Sequence, residues 1–467
     1  QPNMSLQRLT ALRALMSCQP QALAAYIVPT ADAHNSEYIA SCDARREWLS
    51  GFTGSAGTAV VTSSQALVWT DGRYYTQFEH ETDRALWTLM KQSLPGTPSM
   101  EKWLAANLCD GAVVGVDPHT MTREQWTPIQ VYCLLGGRTF LQVRLGRYHR
   151  FASYSATKQY SGEKIQELRK KMAEKKSSLL VITALDEVAY TLNLRGSDIE
   201  YNPVFFSYLI ITPTDVKLFW SDGRLSQDVK VINMSSSSSS SLFSLPFPIC
   251  YWVSPVALAK LIKNDVEMEG FRQCHIRDGV AVIRLLKWLH DQVNAGVNVT
   301  EIQVSDKLLE FRKDEKDFMG PSFGTISSAG ENGAIIHYSP SRDGVQRAVR
   351  GEDMFLLDSG GQYRDGTTDI TRTRHMGSPS AEQIDAFTRV LKGQIMLGSA
   401  LFPKGVKGNV LDSFARKALW DVGLDYAHGT GHGVGHFLNV HEGPAGVSWR
   451  PFPHDPGLAP GQVLSNG

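Results

Sequence analysis

The stretch Asp358-Ser359-Gly360-Gly361-Gln362-Tyr363-Arg364-Asp365-Gly366-Thr367-Thr368-Asp369-Ile370-Thr371-Arg372-Thr373 decides how this chain is read. It continues the apolar run Met354-Phe355-Leu356-Leu357, a strand signal, and Gly360-Gly361 and Asp365-Gly366 supply turn residues. Thr367 to Thr373 is rich in β-branched residues, so the segment predicts a β-hairpin with two carboxylates, Asp358 and Asp369, eleven residues apart. Side chains alternate faces along a strand, so the turn position fixes whether the two meet. A turn centred between Tyr363 and Arg364 sets Asp358 directly opposite Asp369. A turn at Asp365-Gly366 keeps both on one face but four residues out of register. Facing carboxylates repel and need a shared cation or proton. The first register points to a metal site.

Further donors follow in His428-Gly429-Thr430-Gly431-His432-Gly433-Val434-Gly435-His436 and in Asn439-Val440-His441-Glu442-Gly443-Pro444. The spacing of His428, His432 and His436 would align three imidazoles on a helix, but each interspersed glycine costs a helix roughly 1 kcal/mol against Ala. The segment is therefore read as a Gly-rich strand or loop that lets backbone approach a ligand closely. A lone His is ordinarily a hydrogen-bonded structural residue. Four of them within fourteen residues, after a pair of Asp, point to at least one ligand. Imidazole with carboxylates suits a borderline divalent ion such as Mn, Co or Zn. The HExxH and CxxC zinc patterns are missing.

DSGGQYRDGTTDITRT, HGTGHGVGHFLNVHEGP and the earlier GAIIHYSP resemble the pita-bread metallopeptidases, specifically the Xaa-Pro aminopeptidase (aminopeptidase P) family. The resemblance extends to RREWLSGFTGSAGTAVVTSSQALVWTDGRYYTQ and TALDEVAYTLNLRGSDIEYNPVFFSYLII, and so covers most of the chain. It implies a site for two Mn ions held by two Asp, one His and two Glu, with Zn or Co as alternatives. The matching positions are Asp358, Asp369 and His432 for the metal. His337 and His441 match histidines that contact substrate and stabilise the tetrahedral intermediate, and His428 matches another that lines the site. Arg73, in Thr70-Asp71-Gly72-Arg73-Tyr74, matches an arginine that reaches toward bound peptide. Short proline-containing peptides are the implied substrates, and a homodimer the implied assembly.

The family pattern continues Gly-x-x-x-Ser/Thr-x-Glu-Pro-Gly-Tyr-Tyr, whereas this sequence closes Gly461-Gln462-Val463-Leu464-Ser465-Asn466-Gly467. Gly467 falls where the first Glu is expected. The reading is a C-terminally truncated catalytic domain, short of two ligands and catalytically impaired, with Glu442 or a partner chain as replacement carboxylate. Its alternatives are a catalytically silent peptide- or protein-binding module and a prolidase-like dipeptidase.

Composition fits a multidomain enzyme. With 467 residues and 42% apolar content the chain has material for sizeable cores. Its 47 basic residues balance 47 acidic ones, which leaves no charge excess to favour nucleic acid or a membrane surface. No run of about 18 apolar residues predicts a membrane span. The six cysteines lack motif spacing and read as reduced thiols. Asn3, Asn233 and Asn298 sit in N-x-S/T sequons, and a chain that begins at Gln1 is compatible with a removed leader. The wording SDIEYNPVFFSY and HGVGHFLNVHEGP lies nearer the family's cytoplasmic form, with an extracellular or membrane-anchored form as the alternative.

The predicted architecture is α+β: two creatinase-like αβ domains, 1–150 and 155–253, then a pita-bread domain, 254–467. Strands are expected at Ala24 to Val28, Thr58 to Thr62, Leu179 to Ile182 and Ser207 to Ile211, with helices around Lys164 to Lys176 and from Asp186. The serine run Ser235 to Ser241 reads as a linker. Asn264 with Glu267 and Ser380 with Gln383 predict capping boxes. Phe271, Ile283, Leu286 and Leu289 on one helix, and Ile384, Phe387, Leu391 and Ile395 on another, are expected to pack into the core. A further helix is expected from Val410 to Trp420.

Overall fold

The computed structural model describes residues 2–135, 139–142, 153–155, 161–220, 253–340, 342 and 346–467, so the serine run and the Asn233 sequon lie outside the described residues. Contacts divide the chain into two units, Gln1–Arg150 and Phe151–Gly467.

In the first unit the strands Ala25–Pro29 and Thr58–Thr62 form where expected. Among the described residues they are central in a six-stranded mixed sheet, in the order Thr88–Lys91, Ala66–Thr70, Thr58–Thr62, Ala25–Pro29, Val113–Val116, Thr139–Gln142. Alternation sorts the side chains. Tyr26, Val28, Ala59 and Val61 join one core with Phe52, Phe78 and Trp87. Ala25, Ile27 and Val60 join another with Trp69, Trp103 and Leu104. Both faces are therefore covered, which explains why these strands read as unbroken apolar runs.

In the second unit the strand Ser153–Ser155 precedes the helix Ser161–Glu174, whose Leu168 and Met172 pack on the strands Leu180–Ile182 and Ser207–Ile211. On its open side Lys170 and Lys171 pair with Glu167 and Glu174. The helix Leu185–Leu192 follows. Capping boxes at Asn264/Glu267 and Ser380/Gln383 start the helices Asp265–Asn294 and Ala381–Gly398. A third capping box, Thr300/Gln303, starts Glu301–Lys313.

Two expectations are corrected. Ile384, Phe387, Leu391 and Ile395 are exposed, at 53%, 48%, 42% and 58%, as is Ile283 at 68%. The helix Ala381–Gly398 instead packs its small face on Gly408–Trp420. A Cβ on Gly393 would stand 2.0 Å from the Ala415 carbonyl oxygen, so close approach of the two backbones decides which face turns inward. Leu286 and Leu289 do join the core with Phe355 and Leu357.

The second correction is the hairpin register. The strand Met354–Ser359 is central, flanked by Ile326–Ala329 and Ile370–His375. Asp358 pairs with Thr371 and Ser359 with Ile370, and further up Gln362 pairs with Thr367 and Tyr363 with Gly366. The turn therefore falls at Arg364-Asp365, between the two expected positions. Asp369 lies two residues from the partner of Asp358, a diagonal neighbour on the same face.

Candidate metal centre

The carboxylates come from two strands of one sheet and the imidazole from another segment. Asp358 is near the end of Met354–Ser359, Asp369 immediately precedes Ile370–His375, and His432 is the middle residue of the strand Gly431–Gly433. His432 Nε2 stands 3.1 Å from Asp369 Oδ2. His432 Nδ1 is 2.8 Å from the Gly433 carbonyl oxygen, which can only accept, so Nδ1 carries the proton. That leaves Nε2 facing a carboxylate, two groups that need a cation or a proton between them. A backbone carbonyl fixing the far ring nitrogen is the usual support of a metal-ligating histidine.

Asp358 completes the cluster. Burial and the adjacent Asp369 charge push its carboxyl well above the usual range, and a Thr371 hydrogen bond, then His432 and Arg312, oppose the rise. Its Oδ1 is buried without a hydrogen-bond partner. An orphaned anionic oxygen beside a second carboxylate and a bare imidazole nitrogen is a donor set that fits a borderline divalent ion. The three donors are gathered pairwise. Among the described residues no group of three or more His, Cys, Asp or Glu closes into a ligand cage.

The other predicted residues occupy different surroundings. His441 is exposed and packs edge-to-face on His432, with ring centroids 4.2 Å apart. His428 donates to the Gly429 carbonyl at 2.8 Å and lies against Tyr426. His337 is exposed in a loop, with φ at 57°. Buried Glu301 holds that loop, accepting from Ala329 N at 2.7 Å, Tyr338 Oη at 2.8 Å and Asn332 Nδ2 at 3.0 Å. Glu301→Ala is expected to strand these donors at about 1–3 kcal/mol each where buried. Hydrogen exchange should then quicken across residues 329–338 and leave the first unit unchanged. Arg73 belongs to the first unit, where Asp71 grips its Nε and Nη2 at 2.8 Å.

Glu442 is no spare ligand. It is buried, bonded by Lys260 at 3.0 Å and by Lys263, and Lys260 also reaches Asp186 at 3.0 Å. Burial opposes the Lys260 charge, but Glu442 and Asp186 more than offset it and hold the ammonium charged. Next to this group Ser254 Oγ bonds Glu187 at 2.6 Å. Burial first, then Asp186, raises the Glu187 carboxyl from 4.5 to about 7. The folded chain thus holds a proton that the unfolded chain has released between about pH 4.5 and 7, and this term weakens stability as pH rises through that window. Glu187→Gln is expected to melt above wild type at pH 8 and to lose that advantage near pH 4. Sequence reading missed this cluster because Lys260 and Lys263 sit in ordinary helical spacing, far along the chain from their partners.

Mixed αβ units that bring two carboxylates and an imidazole together are compatible with a metallohydrolase, and comparison with known proteins gives the family. Residues 269–466 match metallopeptidase family M24, and residues 8–132 and 151–244 match creatinase/prolidase N-terminal domains. The chain belongs to the Xaa-Pro aminopeptidases of metallopeptidase family M24. It is 44% identical to the Xaa-Pro aminopeptidase ApepP of Drosophila melanogaster, over 98% of this chain and 83% of that protein. The probable Xaa-Pro aminopeptidase P of Laccaria bicolor is 42% identical, over 98% and 78%. The crystal structure of X-prolyl aminopeptidase from Caenorhabditis elegans, described as a cytosolic enzyme with a di-nuclear active site, superposes with a TM-score of 0.93. It is 35% identical, over 98% of this chain and 84% of that one. Among the described residues no helix is long and apolar enough to cross a membrane.

Proposed function

We propose that this chain is a metal-dependent aminopeptidase that removes the N-terminal residue from peptides with proline in second position. The observation that carries the reading is His432 Nε2 facing Asp369 Oδ2 at 3.1 Å, beside Asp358 and its orphaned buried oxygen. Asp358, Asp369 and His432 would hold the metal, with Mn favoured over Zn or Co; the family's site takes two ions, and the three donors named here fit one. A divalent ion bound there supplies Lewis acidity and lowers the pKa of water toward neutrality. His441, against His432, and His337, on its Glu301-anchored loop, donate to the oxyanion that develops at the scissile carbonyl. His428 lines the approach. Arg73 remains a candidate peptide contact, as the resemblance implies. The three family matches support a division at 1–150, 155–253 and 254–467. The working form is a cytosolic homodimer.

The test is release of arginine from Arg-Pro-Pro in excess Mn, with Asp369→Ala as control. Turnover that the substitution abolishes supports the reading. Preferential cleavage of an Xaa-Pro dipeptide would move it to a prolidase. Tight peptide binding without turnover would favour a silent binding module.

A further inference from the structure

Beneath the two carboxylates lies an ion pair that is completely enclosed. Asp278, 0% exposed on the helix Asp265–Asn294, faces Arg312, 1% exposed on Glu301–Lys313. Arg312 Nε and Nη2 donate to the two oxygens of Asp278 at 2.7 and 2.9 Å. An ion pair this deep gains little over an apolar pair of equal volume, so its presence asks for a further reason.

Its remaining bonds supply one. Thr368 Oγ1 donates to Asp278 Oδ2 at 2.9 Å, and Thr368 immediately precedes Asp369. Arg312 Nη2 donates to Ser359 Oγ at 3.1 Å, and Ser359 immediately follows Asp358. Successive residues of an extended chain point to opposite faces. The pair therefore grips the back of both strands at the residues whose neighbours present carboxylates at the front. Tyr363 Oη also bonds Asp278, at 2.8 Å, but lies toward the hairpin tip, away from both carboxylates in sequence. Two like charges on diagonal positions push their strands apart, and a rigid clamp behind them opposes that.

We propose that Asp278 and Arg312 act as positioning residues, setting the separation of Asp358 and Asp369 through Thr368 and Ser359 and so tuning metal affinity. This rests on the reading of Asp358 and Asp369 as ligands. Outer supports of metal ligands typically govern affinity by about 10–100-fold, and the same order is expected here.

The experiment is titration of the full chain with Mn by calorimetry, alongside melting in EDTA. Ser359→Ala removes one link, and Thr368→Val removes the other together with the bond that Thr368 Oγ1 accepts from Gly361 N at 2.9 Å, both without unpairing Asp278 from Arg312. Each should weaken Mn binding by about tenfold or more. Thr368→Ser, which keeps the hydroxyl, should restore it. Tyr363→Phe removes a bond to the same carboxylate and should lower the melting temperature while leaving Mn affinity unchanged. Thr368→Val and Ser359→Ala binding Mn like wild type, while Asp369→Ala binds none, would overturn the clamp and leave the site reading standing. Wild-type Mn affinity in Asp369→Ala, or no Mn binding by the wild-type chain, would overturn both.

Discussion

Asp358→Asn is expected to cut Mn affinity and Arg-Pro-Pro turnover by more than about 100-fold, the upper range for mere supports of a ligand, while making the metal-free chain more stable. The two effects share one cause. Asp358 is half-buried near the end of a central strand, its Oδ1 is buried without a partner, and Asp369 stands on the same face. Without a cation the folded chain bears the repulsion of two carboxylates and an unpaired buried oxygen. An amide of the same shape removes the charge and with it the repulsion from Asp369, so the metal-free variant melts higher. Melting in EDTA and Mn calorimetry on the same preparations check this. A variant that melts lower without metal and still binds Mn would show Asp358 to be a structural residue.

Glu442→Ala should be the most damaging single change to stability. The carboxylate is 2% exposed, and Lys260 and Lys263, at 6% and 5%, both turn on it. Removing it leaves two buried ammonium groups facing each other, with Asp186 compensating one. Breaking a buried pair from one side costs about 3–5 kcal/mol. The damage should reach the site as well, because Glu442 pairs with Gly433 across the strands that carry His432 and flank His441. The urea midpoint of the second unit reads the stability term. A fourfold replacement, Lys260→Met with Lys263→Met, Glu442→Leu and Asp186→Asn, should recover most of the loss, since it leaves neither buried ammonium nor the Asp186 carboxylate uncompensated. If Glu442→Ala unfolds like wild type, the cluster does not hold this part of the fold together.

The local signals in the sequence were those that depend on neighbours a few residues away. Capping pairs at Asn264/Glu267 and Ser380/Gln383, the strands Thr58–Thr62 and Ser207–Ile211, and the hairpin itself follow from side chain-to-backbone bonds and period-2 patterning. Asp358, Asp369 and His432 could be singled out because carboxylates and imidazoles on Gly-rich strands have few structural uses. What failed was long-range. Ile384, Phe387, Leu391 and Ile395 form as good an amphipathic stripe as any core helix, yet Gly393 against Ala415 turns the other face inward.

By itself the sequence determined which carboxylates and imidazoles are available as candidate donors and the parity that puts both carboxylates on one face, because these depend on covalent order and backbone geometry. Only the tertiary structure decided the register, which places the turn at Arg364-Asp365 and makes Asp358 and Asp369 diagonal rather than opposed. It alone brought Asp278 and Arg312 behind them, and Lys260 and Lys263 onto Glu442. Charges so far apart along the chain have no mutual signature in sequence. Their pairing is fixed when helices and strands pack and water is excluded between them, where an unpaired charge costs more than the fold can spare.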